Sequence, residues 1–269
     1  MVSTGPIGFF DSGVGGLTIW NDLVNALPNE DTIYIADSIN APYGGKTPDE
    51  IIDLSVANTQ KLVDLGAKLI VVACNTATTQ AIQTLRERFD FPFIGIEPAI
   101  KPAAERSKSK VIGVLATHGT LESDHFNRTK KNFSQGVEVV TQVGDGLVTA
   151  IEKGDLASEE LKSILAGHLK ELKKHPIDYL VLGCTHYPLL KPLMQSILTD
   201  QVEILDSGKA VAAQIKKVLI DNNLKSASKQ SGTHQLMSTG DLGILKSIVI
   251  NNHFDMNRNV NYSSLYQSE

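Results

Sequence analysis

Short apolar runs rich in β-branched residues alternate with longer segments of helical spacing along most of this chain. Parallel strands need a long crossover, usually a helix, and a strand covered on both faces reads as a continuous apolar run. The pattern therefore predicts an α/β fold of mainly parallel sheets flanked by helices. The predicted strands are 7–10, 32–36, 69–73, 93–96, 111–115, 137–141, 179–183 and 202–205. The predicted helices are 16–26, 48–65, 77–88, 121–133, 158–173, 188–198 and 209–221.

An internal repeat divides the chain into two related parts. Two pairs of segments share the pattern of apolar strand, turn and helix: IGFFDSGVGGLT (7–18) with IGVLATHGTLES (112–123), and LIVVACNTATT (69–79) with YLVLGCTHYPL (179–189). The pairs are nearly equally spaced in both parts, which favours two pseudo-symmetric lobes with the functional site in the cleft between them. We expect residues 1–97 and 208–269 to form the first lobe, with Cys74, and residues 98–207 the second, with Cys184.

The last part of the chain is predicted to rejoin the first lobe. A polar stretch from residue 222 reads as a loop, and QLMSTGDLGILKSIVI (235–250) reads as a strand, an Asp-capped turn and a helix. The residues from Asn257 onward are expected to be loosely ordered.

Bulk properties exclude several classes of protein. The chain has 269 residues, two cysteines and a formal net charge of -5. No apolar run approaches the ~18 residues of a membrane-spanning helix, and the first residues lack the basic start and apolar stretch of a signal peptide. Two cysteines exclude a disulfide scaffold, and the lack of a basic stripe argues against nucleic acid as a partner. We expect a cytoplasmic protein that acts on a small molecule, without a membrane partner.

Both cysteines come at the ends of apolar strands, where parallel α/β sheets bind their ligands. A thiol between a strand and a helix N-terminus feels the positive end of the helix dipole, which lowers its pKa and lets it act as a base. Buried structural cysteines, or a disulfide between Cys74 and Cys184, are the alternatives. A zinc site would need a further paired ligand beyond these cysteines and His186.

Two glycine-rich turns carry weaker indications. The glycines of FDSGVGGLT (10–18) expose backbone amides at a helix start, which is typical of a carboxylate or phosphate cradle, although close helix packing is an alternative. A dinucleotide fingerprint would need glycine where Thr18 stands. The GKT that follows NAPYG completes a P-loop only with glycine in place of Asn40, so an ATPase is rejected. This stretch instead predicts a turn before a helix, with Tyr43 and Gly44 lining the cleft.

Four ionisable side chains are candidates for assisting the thiols. His186 lies two residues after the second cysteine and can hold the proton of that thiol or bind a carboxylate. Asp11, at the end of the first strand, has the corresponding role available on the side of the first cysteine. Asp37 and Glu152 are weaker candidates, because each alone is more often a surface or capping carboxylate.

Four motifs in order resemble the glutamate racemase family, within the broader aspartate/glutamate racemase group: FDSGVGGL (10–17), PYG (42–44), ACNTAT (73–78) and GCTHYP (183–188). The resemblance covers both predicted lobes. It implies an isomerase that interconverts L- and D-glutamate without pyridoxal phosphate, metal or nucleotide, and that supplies D-glutamate for peptidoglycan. A homodimer is the default expectation for such an enzyme.

The resemblance also implies roles for individual residues. Cys74 and Cys184 would be the catalytic acid and base, one on each face of the α-carbon, as inversion by proton transfer requires. Asp11 would assist Cys74 and His186 would assist Cys184, with Asp37 and Glu152 as lesser helpers. The residues expected to bind glutamate are Asp11, Ser12, Tyr43, Gly44, Asn75, Thr76, Thr185 and His186.

Other functions remain open at this point. The same thiol pair would suit a racemase for aspartate or another small acidic amino acid, because side-chain length preference does not follow from these residues. A single-cysteine decarboxylase is disfavoured, since both strand-end cysteines are present. A protein that only binds an acidic metabolite between its lobes, with inert cysteines, is the alternative outside enzymes.

Overall fold

The computed structural model describes residues 5–198, 200–256 and 258–265. In those ranges the chain forms ten strands and eleven α-helices, with 3₁₀ helices at Ser38–Asn40, Tyr43–Gly45 and Tyr187–Leu190. The strands are β1 Ile7–Asp11, β2 Thr32–Ala36, β3 Leu69–Val72, β4 Phe93–Ile94, β5 Val111–Ala116, β6 Glu138–Val143, β7 Tyr179–Gly183, β8 Glu203–Leu205, β9 Thr233–Ser238 and β10 Asn259–Ser264. The helices are α1 Leu17–Ala26, α2 Pro48–Asp64, α3 Asn75–Arg88, α4 Ile100–Arg106, α5 His118–Leu121, α6 Asp124–Phe133, α7 Leu147–Ile151, α8 Glu159–Leu172, α9 Lys191–Leu198, α10 Gly208–Asp221 and α11 Leu242–Asn251.

The strands form two parallel sheets that contain the same four-strand unit. The six-stranded sheet has the order β10-β9-β2-β1-β3-β4, and the four-stranded sheet has the order β6-β5-β7-β8. In both sheets the first strand of the unit lies between the second and the third, and the fourth lies outside the third. The predicted α/β class and internal repeat are therefore confirmed, and β9 and β10 extend the first sheet beyond β2.

The two units agree in detail at equivalent glycines in their central strands. Gly8 of β1 and Gly113 of β5 each pair with the second residue of the neighbouring third strand. A Cβ atom added at Gly8 would lie 3.1 Å from the Leu62 side chain, and one at Gly113 would lie 3.0 Å from Ile177. Both glycines thus let the segment that precedes the third strand pack closely against the sheet.

Helices cover both faces of each sheet, so alternate strand residues enter different hydrophobic clusters. Phe9 and Leu115 belong to the largest cluster, which includes residues from both sheets. Phe10 belongs to a cluster on the other face of the first sheet, and Val114 to one on the other face of the second. All four side chains are fully buried, and burying such a side chain stabilises the fold by about 1.5–3 kcal/mol.

Several element boundaries differ from the prediction because local capping decides them. The helix predicted for 121–133 begins later, as α6 at Asp124, since the Ser123 hydroxyl accepts a hydrogen bond from the Phe126 amide at 3.1 Å and caps the helix there. The helix predicted to begin at 77 begins at Asn75, directly after Cys74, which is its N-cap residue. The short helices α4, α5 and α7 were not predicted.

The expectation of loose order near the end of the chain is wrong for residues 259–264. They form β10, which pairs in parallel with β9 at the sheet edge. Val260 and Tyr262 pack against the core, whereas Asn259 and Asn261 are exposed. This alternation is typical of an edge strand covered on one face. Residues 257 and 266–269, to which the same expectation applied, lie outside the described ranges.

Two connecting segments join the sheets and lie against each other. The Ser207 hydroxyl donates a hydrogen bond to the Glu97 carbonyl. The predicted lobe boundaries at 97/98 and 207/208 fall in these segments, and the division into lobes at those positions stays a prediction. Across the described residues, none of the helices combines the length and the apolarity that crossing a membrane requires.

Candidate functional site

The two thiols lie at equivalent places in the two sheets. Cys74 follows β3, and Cys184 follows β7, the strand that corresponds to β3 in the other sheet. Both are free thiols with exposed fractions of only 4% and 6%, so they are not joined by a disulfide. Among the described residues, no group of three or more His, Cys, Asp or Glu side chains is arranged to hold a metal ion.

Both thiols line one small cavity, which we call the inner cavity. Its lining comes from both sheets and contains most of the predicted site residues: Ser12, Tyr43, Gly44, Cys74, Asn75, Thr76, Cys184, Thr185 and His186. Its volume is about 10 Å³. Because a single water needs about 10–15 Å³, an amino acid can enter only if the walls move apart.

Asp11 lies behind the wall of the inner cavity. Its carboxylate is fully buried and accepts hydrogen bonds from the amides of Ser12 at 2.8 Å and Gly16 at 2.6 Å, and from the Thr185 hydroxyl at 3.4 Å. Burial raises the pKa of Asp11 to about 6, although the positive charge of nearby His186 opposes the rise. Within the described part of the chain Asp11 is not among the residues lining the inner cavity, so the predicted contact with substrate stays a prediction.

The environment of Cys74 reverses the expected direction of its pKa shift. The Ala77 amide at the start of α3 points at the sulfur from 3.5 Å and lowers the pKa, as expected for a helix N-terminus. Burial and the negative charge of Asp11 act the other way, and together they raise the pKa of Cys74 well above its ordinary value. In this closed arrangement Cys74 is therefore a protonated thiol, with the Ser12 hydroxyl 3.7 Å from its sulfur.

The amides of the glycine-rich turn bind carboxylates of the protein itself. Asp11 holds the Gly16 amide, and Glu152 accepts a hydrogen bond from the Val14 amide at 2.7 Å. A Cβ atom at Gly13 would lie 1.9 Å from the Glu152 carboxylate, and one at Gly15 would lie 2.3 Å from the His186 ring. The turn therefore binds carboxylates of the protein itself, its glycines allow the close packing of Glu152 and His186, and a role as a cradle for a ligand anion stays a prediction.

His186 connects Cys184 to Glu152. Its Nδ1 lies 3.8 Å from the Cys184 sulfur, and its Nε2 lies 2.5 Å from a Glu152 carboxylate oxygen. Burial alone would lower the pKa of His186, but the hydrogen bonds with Cys184 and Glu152 outweigh burial and hold the pKa well above its usual value. The ring is therefore an imidazolium that can supply a proton to the sulfur.

Asp37 acts on the site through Tyr43. Its buried carboxylate accepts a hydrogen bond of 2.5 Å from the Tyr43 hydroxyl and one of 3.1 Å from Thr239. Asn58 donates to the same carboxylate at 3.2 Å. Tyr43 lines the inner cavity, whereas Asp37 stands behind it, so Asp37 orients a wall residue.

Comparison with known proteins identifies the family. The model of the Asp/Glu/Hydantoin racemase family matches residues 19–215. A glutamate racemase from Herpetosiphon aurantiacus is 45% identical over 236 residues, which are 88% of this chain and 93% of that protein. One from Ectopseudomonas mendocina is 43% identical over 248 residues, 92% of this chain and 94% of that protein. The chain belongs to the Asp/Glu/hydantoin racemase family.

Solved structures of this racemase family share the fold. A glutamate racemase from Bacillus anthracis has a TM-score of 0.85 at 28% identity and covers 98% of both chains. The Escherichia coli glutamate racemase, solved with L-glutamate and the activator UDP-MurNAc-Ala, has a TM-score of 0.82 at 30% identity over 97% of this chain and 98% of that one. The resemblance inferred from the four motifs is confirmed, and the chain is a member of an isomerase family.

Three residues that line the inner cavity were not among the predicted site residues. They are Pro42, Thr117 and Val148. Thr117 follows β5 directly, as Ser12 follows β1, so the internal repeat contained the signal for it. Its hydroxyl lies 2.9 Å from that of Thr76 and donates to that of Thr120 at 3.0 Å. A row of hydroxyls therefore crosses from one sheet to the other beside the cavity.

A larger cavity of about 770 Å³ lies next to the inner one. The two share lining residues, including Gly44, Thr117 and Val148, so the larger cavity is the approach to the thiols. Lys46 of the GKT sequence lines this approach. Thr47 forms a capping box with Glu50 at the start of α2. The sequence around GKT is therefore a turn that leads into a helix, as predicted, and not a P-loop.

Proposed function

We propose that this chain interconverts L-glutamate and D-glutamate by moving the α-proton between Cys74 and Cys184. The observation that carries the proposal is that two thiols from equivalent strand ends of two repeated sheets line one cavity. Inverting a stereocentre by proton transfer needs an acid on one face and a base on the other, and two repeated sheets can supply that pair. The glutamate racemases at 43–45% identity support glutamate as the substrate.

Polar groups of the inner cavity would bind the amino acid and stabilise the carbanion that forms. The side-chain oxygen of Asn75 is buried with no hydrogen-bond partner among the described residues. An unpaired buried acceptor is costly, and the substrate ammonium group would satisfy it. Hydroxyls of Ser12, Thr76 and Thr185, with the Tyr43–Gly44 backbone, would bind the carboxylates and stabilise the charge that develops in the transition state.

Each thiol has its own assisting group in this proposal. On one side the Asp11 carboxylate would assist Cys74 in accepting the α-proton. The Ser12 hydroxyl contacts the Cys74 sulfur on this side. On the other side the His186 imidazolium, backed by Glu152, would stabilise a Cys184 thiolate and return its proton. In the closed arrangement Cys74, whose pKa is raised, would then hold its proton.

Incubation with each enantiomer of glutamate in D2O tests the function. We expect the other enantiomer to appear with deuterium at the α-carbon, measured by chiral chromatography and proton NMR. No exchange and no inversion would leave the binding-protein alternative. Exchange with aspartate but not glutamate would favour a racemase for the shorter acidic amino acid.

The pH dependence of kcat/KM follows from Asp11. Since burial raises its pKa to about 6, Asp11 takes up a proton as the pH falls through 6 and loses the charge that assists Cys74. We expect kcat/KM, which reports the free enzyme, to fall below about pH 6. Asp11→Asn should lower activity and remove this acidic limb. Asp22→Asn is the control, because burial also raises the pKa of Asp22 but Asp22 lies outside the site; loss of the limb in that variant would contradict the assignment.

The proposal extends to the protein's setting. We propose a homodimer that works in the cytoplasm with no cofactor or nucleic-acid partner and supplies D-glutamate for peptidoglycan. Closed homodimers are the commonest symmetric oligomers, which supports the dimer, and the relatives' name, glutamate racemase, supports the supply of D-glutamate. Sedimentation at micromolar concentration tests the dimer, and a monomer there would contradict it.

A further inference from the structure

The Glu152 carboxylate is shared between the two repeated units. One oxygen contacts His186 Nε2 at 2.5 Å and the Val14 amide at 2.7 Å. The other accepts a hydrogen bond of 3.0 Å from the Ser38 hydroxyl. Val14 and Ser38 follow β1 and β2 of the six-stranded sheet, whereas Glu152 and His186 follow α7 and β7 in the part of the chain that builds the four-stranded sheet. The hydrogen bonds to Glu152 therefore tie one unit to the other.

Ser38 is held firmly relative to the inner cavity. Its neighbour Asp37 accepts hydrogen bonds from Tyr43 and Thr239, and the Asp37 amide donates to the Asp11 carbonyl at 2.9 Å. The Ile39 amide donates to the Thr239 hydroxyl at 3.1 Å. The segment that places Tyr43 in the cavity wall thus also fixes where the Ser38 hydroxyl lies.

The contact of Ser38 with Glu152 joins two units whose residues together wall the inner cavity. The inner cavity of about 10 Å³ is walled by residues of both units, so an amino acid enters only when wall residues of the two units move apart. Separation would break the hydrogen bonds of Ser38 and Val14 to Glu152, and closure would restore them. Glu152 would then orient His186 fully only while the two units are closed, as in the arrangement described here.

We propose that Ser38 is a positioning residue for proton transfer at Cys184, because its hydroxyl fixes Glu152, and through it His186, when the two units close. The inference rests on the proposed racemase function. Ser38 neither contacts the thiol nor lines the inner cavity. Its effect passes to Glu152, from Glu152 to His186, and from His186 to the Cys184 sulfur. Small displacements of catalytic groups lower rates strongly, and we expect loss of the hydroxyl to lower kcat on the order of tenfold.

A set of four variants separates the hydroxyl from the size of the side chain. Ser38→Ala removes the hydroxyl, Ser38→Thr keeps it, and Ser38→Val has the shape of threonine without it. We expect the alanine and valine variants to lose activity and the threonine variant to retain most of it. Ser196→Ala, on the exposed face of α9, is the control for removing a serine hydroxyl and should behave as the parent enzyme. Loss that follows size rather than the hydroxyl would overturn the proposal.

Isotope effects locate the defect at one thiol. The enantiomers have equal free energy, so kcat/KM must fall equally in both directions. The α-deuterium isotope effect need not change equally, because each direction begins with a different thiol. Slower transfer at Cys184 raises the effect for the enantiomer whose proton Cys184 removes and lowers it for the other. Equal changes in both directions would overturn the assignment to Cys184.

A readout without substrate keeps this inference separate from the proposed function. Ring signals of His186 in NMR spectra should shift in Ser38→Ala and return in Ser38→Thr, with similar thermal unfolding midpoints for both variants. If the parent enzyme failed to racemise glutamate, the function would be wrong while this contact remained testable. If the parent enzyme were active and both kcat and the His186 signals were unchanged in Ser38→Ala, the inference on Ser38 would be wrong.

Discussion

Replacing either Cys74 or Cys184 by serine should abolish racemisation, with a fall in kcat/KM of about 10³-fold or more. General acid and base catalysis contributes about 10²–10⁴-fold, and a serine hydroxyl gives up its proton far less readily than a thiol. The substitution changes one atom in a buried wall, so the fold should be retained. Measuring D-glutamate formed from L-glutamate, and the reverse, gives the loss directly.

The two cysteine variants serve as controls for each other. In D2O, each should still exchange the α-proton of one enantiomer without inverting it, because the remaining thiol removes and returns the proton on a single face. The enantiomer that exchanges should differ between Cys74→Ser and Cys184→Ser. Racemisation at the parent rate in either variant would refute the two-thiol mechanism. Exchange of the same enantiomer in both would show that the thiols do not act on opposite faces.

Replacing Lys68 by methionine should destabilise the fold by about 3–5 kcal/mol, because it leaves a buried carboxylate without its cation. The Lys68 ammonium lies 2.6 Å from Glu30, and the two side chains are only 3% and 2% exposed. Glu30 also accepts a hydrogen bond of 2.7 Å from the Ser226 amide. The pair therefore joins the start of β3 to the loop before β9, far from the thiols.

The fluorescence of Trp20 during denaturant unfolding measures this loss of stability, because Trp20 is the sole tryptophan of the sequence and is fully buried. Lys217→Met is the matched control, because Lys217 pairs with Asp221 on the surface at 69% and 54% exposure. Exposed pairs contribute about 0–1 kcal/mol, so this control should unfold close to the parent protein. The double variant Lys68→Met with Glu30→Gln should recover part of the loss. Equal midpoints for Lys68→Met and Lys217→Met would contradict the prediction.

The parts of the fold that the sequence predicted best are those where one local pattern decides the outcome. The apolar run LIVVAC contains β3, with Cys74 just after the strand, because a short run rich in β-branched residues suits a strand that is covered on both faces. Element boundaries were predicted less well where one side chain decides them, as Ser123 does at the start of α6. The strand β10 was missed because its alternation of exposed and covered residues is short and polar.

The sequence by itself determined that two repeated α/β units would each present a cysteine at a strand end, because the repeat and the apolar runs are written in consecutive residues. Only the tertiary structure decided what surrounds those thiols. Glu152 is 138 positions from Val14 along the chain, yet it accepts the Val14 amide and orients His186. The direction of the Cys74 pKa shift is likewise a tertiary result. The helix N-terminus lowers the pKa of Cys74, but burial and the Asp11 charge raise it by more. Neither burial nor the position of Asp11 can be read from the residues adjacent to Cys74.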